Sequence, residues 1–449
     1  MLRGGVAGAA ALLGGSLVGC GKAKPVTAAA NPVVLLWHPW TYFTDGGSAS
    51  AVPLYQEGIK PFLAQNKGVQ VTINFPNPSV ASLTGGAGPD VMEYWVLNGF
   101  VQNNLLLDLT PYISKDGVDL SVFPSNTINF YKEVGTFSPQ KAGLYCLPAY
   151  IHTLAMAVNL SLLDDAGQPY PEPGWTWEEW ASMWQQVTVK NDGSSSRTGA
   201  WLYFGGYNYS GTGPAPFYLR GFGGDYVDPT DPTKCYLDQP GSIQALEWIY
   251  GLLQSGAVTM TRGFQSGSVV SAAHGSAGSI LSLVENMGNV TWSYYETPVW
   301  PKGKVAYAAD DFYAINAQTK HPDIAWEFLK FLTVENSWQQ FMMHLALTGP
   351  NKAELWPEWA ATAAQVAPTL ADKNLQVMVD QVQNNEVYPG SVFRYNDSSA
   401  ASTINGYLTQ IAQGTIEVPV ACQTMTQQVN ALEQQGAAAA ASTSSAAGV

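Results

Sequence analysis

Hydrophobic and polar positions change period several times along the chain from residue 32 onward. Val33 to Trp37 is a continuous apolar run with β-branched residues, the pattern of a buried strand. Leu54 to Asn66 carries helical spacing. Val69 to Phe75 returns to alternation, with Val69, Val71, Ile73 and Phe75 on one face. Strand, helix and strand in succession predict a βαβ unit, hence a parallel sheet with a right-handed crossover. Helical spacing recurs over Trp175–Val187, Ser242–Gln254, His321–Leu332 and Ala400–Gln413. The first of these opens with Thr176 and Glu179 at capping-box spacing. No internal repeat interrupts the series, and the class is α/β.

The two ends differ from this body. Residues 4–19 are uncharged, small and apolar, and follow Arg3. The run is short and glycine-rich for a membrane span and suits the apolar region of an export signal. It closes on Leu17-Val18-Gly19-Cys20, which resembles a bacterial lipobox. That resemblance implies cleavage before Cys20 and lipidation of its thiol, so residues 1–20 read as a lipoprotein signal peptide. Residues 21–30 lack periodicity and read as a tether. Residues 436–449 are low-complexity and read as a frayed tail.

Composition narrows the function. Of 449 residues, 46% are hydrophobic, enough for packed cores, while only 12% are charged. The net charge of −14 repels phosphate backbones and anionic lipid, so nucleic acid is excluded as a partner and any membrane attachment is hydrophobic or covalent. The five His are scattered without metal-binding spacing, and no Walker loop or nucleophile elbow occurs, so no cofactor is expected. Cys146, Cys235 and Cys422 include no CxxC pair and read as structural. The excess is aromatic: 15 Trp and 22 Tyr supply flat apolar faces with polar edges, which suit core packing and sugar stacking alike.

Open parallel sheets bind ligands beyond the carboxyl ends of their strands. After the first strand comes Trp37-His38-Pro39-Trp40-Thr41-Tyr42-Phe43, too aromatic a segment to be all core. Further motifs follow in order. They are Gly88-Pro89-Asp90-Val91, then Asn104 to Tyr112 (NLLLDLTPY), then Gly143 to Pro148 with Ala155 to Asn159. Asp165-Ala166-Gly167 with Pro173 to Trp180 and Ala325 to Leu332 (AWEFLKFL) complete the set. In this order they resemble the sugar-binding group of extracellular solute-binding proteins of ABC importers, the group that includes maltose-binding protein. The resemblance spans roughly residues 31–435. It departs at Phe264 to Ser276, where the group's later Trp is missing and Trp292 stands as a replacement.

The resemblance implies a two-lobed periplasmic-binding-protein-like fold (type II). One lobe takes 31–149 plus 300–340 and the other 150–299 plus 341–435, with ligand in the cleft between them. It implies a monomer that closes on a sugar or short oligosaccharide and presents the closed form to ABC permease subunits, with no catalytic role. Candidate ligand contacts are Trp37, His38 and Trp40 after the first strand, and Glu93, Tyr94 and Trp95 after the Gly-Pro-Asp-Val strand. Tyr150 and His152 lie on the lobe crossing, and Trp201 and Tyr207 lie in the second lobe. Trp292, Tyr294, Asp310, Asp311 and Arg394 complete the set. Asp90 reads as a strand brace and Asn159 as structural. Two alternatives stay open: the same fold binding a non-sugar solute such as a polyol phosphodiester or polyamine, and an exported glycoside hydrolase.

Overall fold

The computed structural model of the protein describes residues 32–39, 52–73, 77–94, 97–191, 194–202, 215–260, 267–275, 290–384 and 386–446, with single positions 264, 280, 284 and 287. The signal segment with Cys20 lies outside these residues.

The chain opens with β1 (Val33–His38), β2 (Val69–Ile73) and β3 (Val91–Tyr94). β1 pairs in parallel with both, Val33 opposite Val69 and Trp37 opposite Val91, as the apolar run and the alternating run require. Helices Val52–Gly58 and Lys60–Gln65 make the first crossover, broken in two where one helical run was expected. Asp90 braces the turn into β3, accepting from Leu36 N at 2.8 Å and from Thr319 Oγ1 at 2.6 Å.

Beyond β4 (Cys146–Asn159) the second half adds β5 (Val189–Asn191), β6 (Ser194–Trp201), β7 (Val227–Asp228), β8 (Asp231–Cys235), β9 (Val258–Thr259), β10 (Val269–Gly275) and β11 (Trp292–Tyr295). Then come β12 (Ala306–Ile315) and β13 (Val387–Tyr388). The main sheet runs β2-β1-β3-β12-β4-β10-β6-β5, with β11 on β4, β13 on β12 and β9 on β6. The long strands β4 and β12 are antiparallel neighbours at its centre.

Three hydrophobic cores lie along this sheet. The first is built from Leu35 to Tyr150, Phe312 to Ile315 and Ala325 to Met342, with Val392 added. The second takes Leu154 to Val305 and Phe393 to Val429. The third takes Ile151, Ala155, Ala157, Trp292, Tyr294 and Met343 to Val387, on the second lobe's side of the crossing. The chain therefore passes between cores in one peptide step at Tyr150/Ile151 and at Met342/Met343. A loop lies against the crossing: Ile151 N donates to Gly349 O at 3.1 Å. A Cβ on Gly349 would stand 2.1 Å from Ile151 O, so only glycine allows this approach.

Helices form where the sequence signals them. Trp177–Val187 starts from the Thr176/Glu179 capping box, with Glu179 N to Thr176 Oγ1 at 3.3 Å and Thr176 N to Glu179 Oε2 at 2.7 Å. Pro240–Gln254, Pro322–Thr333 and Asp397–Ala412 sit within a few residues of their expected places. Asn159 caps the helix Leu160–Asp165, accepting from Leu162 N at 3.2 Å. Cys146, Cys235 and Cys422 are buried thiols. The frayed tail is corrected: helix Val418–Ala446 runs through the alanine-rich stretch, the residue type of highest helix propensity. None of the helices described is long and apolar enough to cross a membrane.

Candidate functional site

β1 and β3 end at His38 and Tyr94, and β6 and β10 at Trp201 and Gly275. β3 and β10 flank the β4–β12 crossing, and both parallel pairings, β1 with β3 and β10 with β6, direct carboxyl ends of strands to the place where parallel sheets receive ligands. The crossing brings His152 and Asp311 together, with Tyr94 on the neighbouring strand β3. Phe312 is opposite Tyr94, Ala309 opposite His152 and Asp311 opposite Tyr150, with the register slipping between Asp311 and Phe312. That irregularity re-aims the Asp311 carboxylate. His152 Nε2 and Asp311 Oδ2 lie 3.1 Å apart, and their side chains keep 15% and 14% exposure. Tyr94, also partly exposed, rests on Phe100 with ring centroids 5.4 Å apart. An imidazole, a carboxylate and a phenol at the mouth of the crossing offer donors, acceptors and one aromatic face.

The crossing also carries a buried polar chain. Trp338 Nε1 donates to Tyr150 Oη at 2.9 Å, and Tyr150 Oη is 3.3 Å from Tyr313 Oη. The Tyr313 hydroxyl also bonds Glu93. Burial, with the Glu93 charge added, holds both phenols well above the ordinary tyrosine range. Tyr150 and Glu93, expected as ligand contacts, are 0% and 1% exposed and serve this chain.

Packing encloses other residues expected as ligand contacts. Trp37 is fully enclosed in the first core, edge-on to Tyr55, Phe328 and Trp338 at 5.6, 5.2 and 5.3 Å. Its strand end is buried on both faces, so His38 is enclosed too. Trp292 and Tyr294 pack edge-to-face at 5.3 Å inside the third core, because β11 joins the sheet beside β4 instead of crossing the cleft. Burial raises the Tyr294 phenol. Trp292 therefore offers no replacement stacking platform in this arrangement. Trp201 is buried and its Nε1 donates to Met260 O at 3.3 Å. Arg394 turns its guanidinium to Thr136 O at 2.8 Å and over the Phe137 ring at 5.4 Å, away from the crossing. Trp40, Trp95 and Tyr207 lie outside the described residues. So does the side chain of Asp310, whose backbone pairs with Ile151.

Tyr313 and Trp338 went unnoticed in the sequence, since nothing local distinguishes them from core aromatics. A cavity of about 190 Å³ opens between Trp175, Tyr295, Glu296, Asn374 and Asp380. Among the described residues, no group of three or more His, Cys, Asp or Glu is placed to hold a metal ion.

Two α/β lobes joined by crossing strands, with strand ends converging at the crossing, define a receptor of the two-lobed binding-protein class. The model of the bacterial extracellular solute-binding protein family matches residues 42–336, and the chain belongs to that family. Solved structures share the fold. An ABC substrate-binding protein of Listeria monocytogenes in complex with cycloalternan has a TM-score of 0.69 at 15% identity, covering 90% of this chain and 99% of its own. The cyclic alpha-maltosyl-1,6-maltose binding protein of Arthrobacter globiformis has a TM-score of 0.68 at 16% identity, covering 90% and 100%. The GacH receptor of Streptomyces glaucescens, solved unliganded and with acarbose, has a TM-score of 0.61 at 19% identity, covering 90% and 99%.

Proposed function

We propose that the protein is the extracytoplasmic substrate-binding component of an ABC importer and that it captures a sugar or short oligosaccharide between its lobes by hinge closure. The observation that carries this reading is the His152–Asp311 pair on the two crossing strands, beside Tyr94 at the end of β3. A carboxylate accepts two sugar hydroxyls, an imidazole bonds a third, and a phenol ring covers a C–H face. Micromolar capture corresponds to about −8 kcal/mol, which takes two or three stacked aromatic faces together with several such hydrogen bonds. The receptors of like fold whose names include oligosaccharides or acarbose support the ligand class.

In this reading the lobes are 31–149 plus 300–340 and 150–299 plus 341–435. The protein works as a monomer, tethered at the membrane surface by lipid on Cys20, and hands its ligand to permease subunits. It binds without turnover. A thermal-shift panel of mono- and oligosaccharides, polyols, polyamines and phosphodiesters tests the ligand class. A rise in melting temperature with sugars alone is expected, and a rise with another class and none with sugars overturns it.

A further inference from the structure

The lobes also meet through the segment that starts at β13, paired with β12, and runs to Asn396. Its backbone is pinned to the second lobe at several points. Arg220 bonds Asp225 (Nε to Oδ2, 2.7 Å) and also donates to Pro389 O. Asp225 Oδ1 accepts from Ser391 Oγ at 2.6 Å. Arg394 N donates to Pro232 O at 2.9 Å, and Phe393 N to Asp397 Oδ1 at 2.8 Å. The buried Glu433 of the C-terminal helix accepts from Tyr395 N at 2.9 Å and from Asn396 N at 2.7 Å.

The outward side of the same segment holds the first lobe. Val392 enters the first core while its neighbour Phe393 belongs to the second. Arg394 bonds Thr136 O and covers Phe137, and Arg394 O accepts from Gln102 Nε2. Asn126 Nδ2, at the start of helix Ser125–Gly135, donates to Val387 O at 3.0 Å. Glu133 on that helix is within the fields of Arg220 and Asp225.

We propose that the segment 387–396 is an interlobe clasp and that Arg394 is a positioning residue that sets solute affinity without touching solute. Lobe rotation about β4, β12 and the Gly349 loop carries helix Ser125–Gly135 past a segment that is rigidly fixed to the other lobe. Contacts outside the hinge that fit one lobe angle stabilise that angle. The measured affinity scales with the fraction of protein at the binding-competent angle, so a residue that biases the angle changes affinity from a distance. The affinity part rests on the solute-binding reading above; the part about lobe angle does not.

The test uses spin labels at Lys115→Cys and Gln185→Cys, exposed positions on opposite lobes, in the full chain without ligand. Arg394→Met keeps the aliphatic stem and removes the bond to Thr136. Gln102→Ala loosens the same clasp from the first lobe. The expected result is that both variants move the distance distribution away from that of the wild type, in the same direction, at nearly unchanged melting temperature. Arg394→Lys is expected to restore it in part. Affinity for an oligosaccharide that the wild type binds is expected to change about three- to tenfold with it. Unchanged distributions in both variants overturn the clasp. Shifted distributions with no sugar bound by any protein leave the clasp standing and count against the sugar reading alone.

Discussion

His152 Nε2 and Asp311 Oδ2 stand 3.1 Å apart, one on each of the two antiparallel strands that pass between the lobe cores. The pair is part of the hinge and, at about one-seventh exposure, is also open to the mouth of the crossing. Asp311→Ala removes the acceptor for sugar hydroxyls and leaves His152 without this partner. Calorimetric titration is expected to show affinity falling by more than about tenfold, roughly 1.4 kcal/mol, with a smaller change in melting temperature. Unchanged affinity would make the pair a purely structural hinge contact.

Trp37 gives the converse case. It is fully buried against Tyr55, Phe328 and Trp338. Trp37→Ala opens a cavity and is expected to cost about 3–5 kcal/mol in denaturant unfolding. A ligand-facing indole would behave oppositely, losing affinity while the unfolding midpoint stayed in place.

The C-terminal helix is stabilised by what it holds. Glu433→Ala leaves the amides of Tyr395 and Asn396 without their acceptor, an expected loss of about 2–3 kcal/mol. Residues 438–442 are exposed. Deleting residues 438–449 is expected to change stability by no more than about 0.5 kcal/mol. Equal losses from both changes would contradict this division.

Much of the fold was legible because it is local. The apolar run of β1, the alternation of β2 and the Thr176/Glu179 spacing each predict an element from a few neighbouring residues, and each is present. The candidate site was legible only in part. Aromatic richness after a strand does not say which face a ring takes, and at the end of β1 both faces are buried. Trp292 and Tyr294 looked cleft-borne until β11 was seen beside β4. The partners of Arg394 lie at Thr136 and Gln102, hundreds of residues upstream, and no pattern near Arg394 points to them. Low complexity suggested fraying at the C-terminus, whereas alanine propensity and the docking of Glu433 produce a helix.

Burial also sets a pH dependence. It pushes the carboxyls of Glu133, Glu335, Glu386 and Glu433 above the ordinary glutamate range. Between the ordinary and the raised values the folded state holds more protons than the unfolded one, so stability falls as pH rises through that window. Asp116, held down by its bond to Lys330, acts in the other direction: its contribution is present above the ordinary aspartate range and is lost as pH falls. Melting temperature at constant ionic strength is expected to fall as pH rises above the ordinary glutamate range, and Glu133→Gln is expected to flatten that fall. A steady rise through the same range would contradict the assignment.

The most direct measurement of the central claim is a calorimetric titration of the protein with linear and cyclic oligosaccharides, with the sugar recovered and analysed afterwards. The account predicts saturable one-to-one binding of at least one oligosaccharide near micromolar affinity, and recovery of that sugar unchanged. Absence of binding across the series, or recovery of shortened sugar, would contradict it.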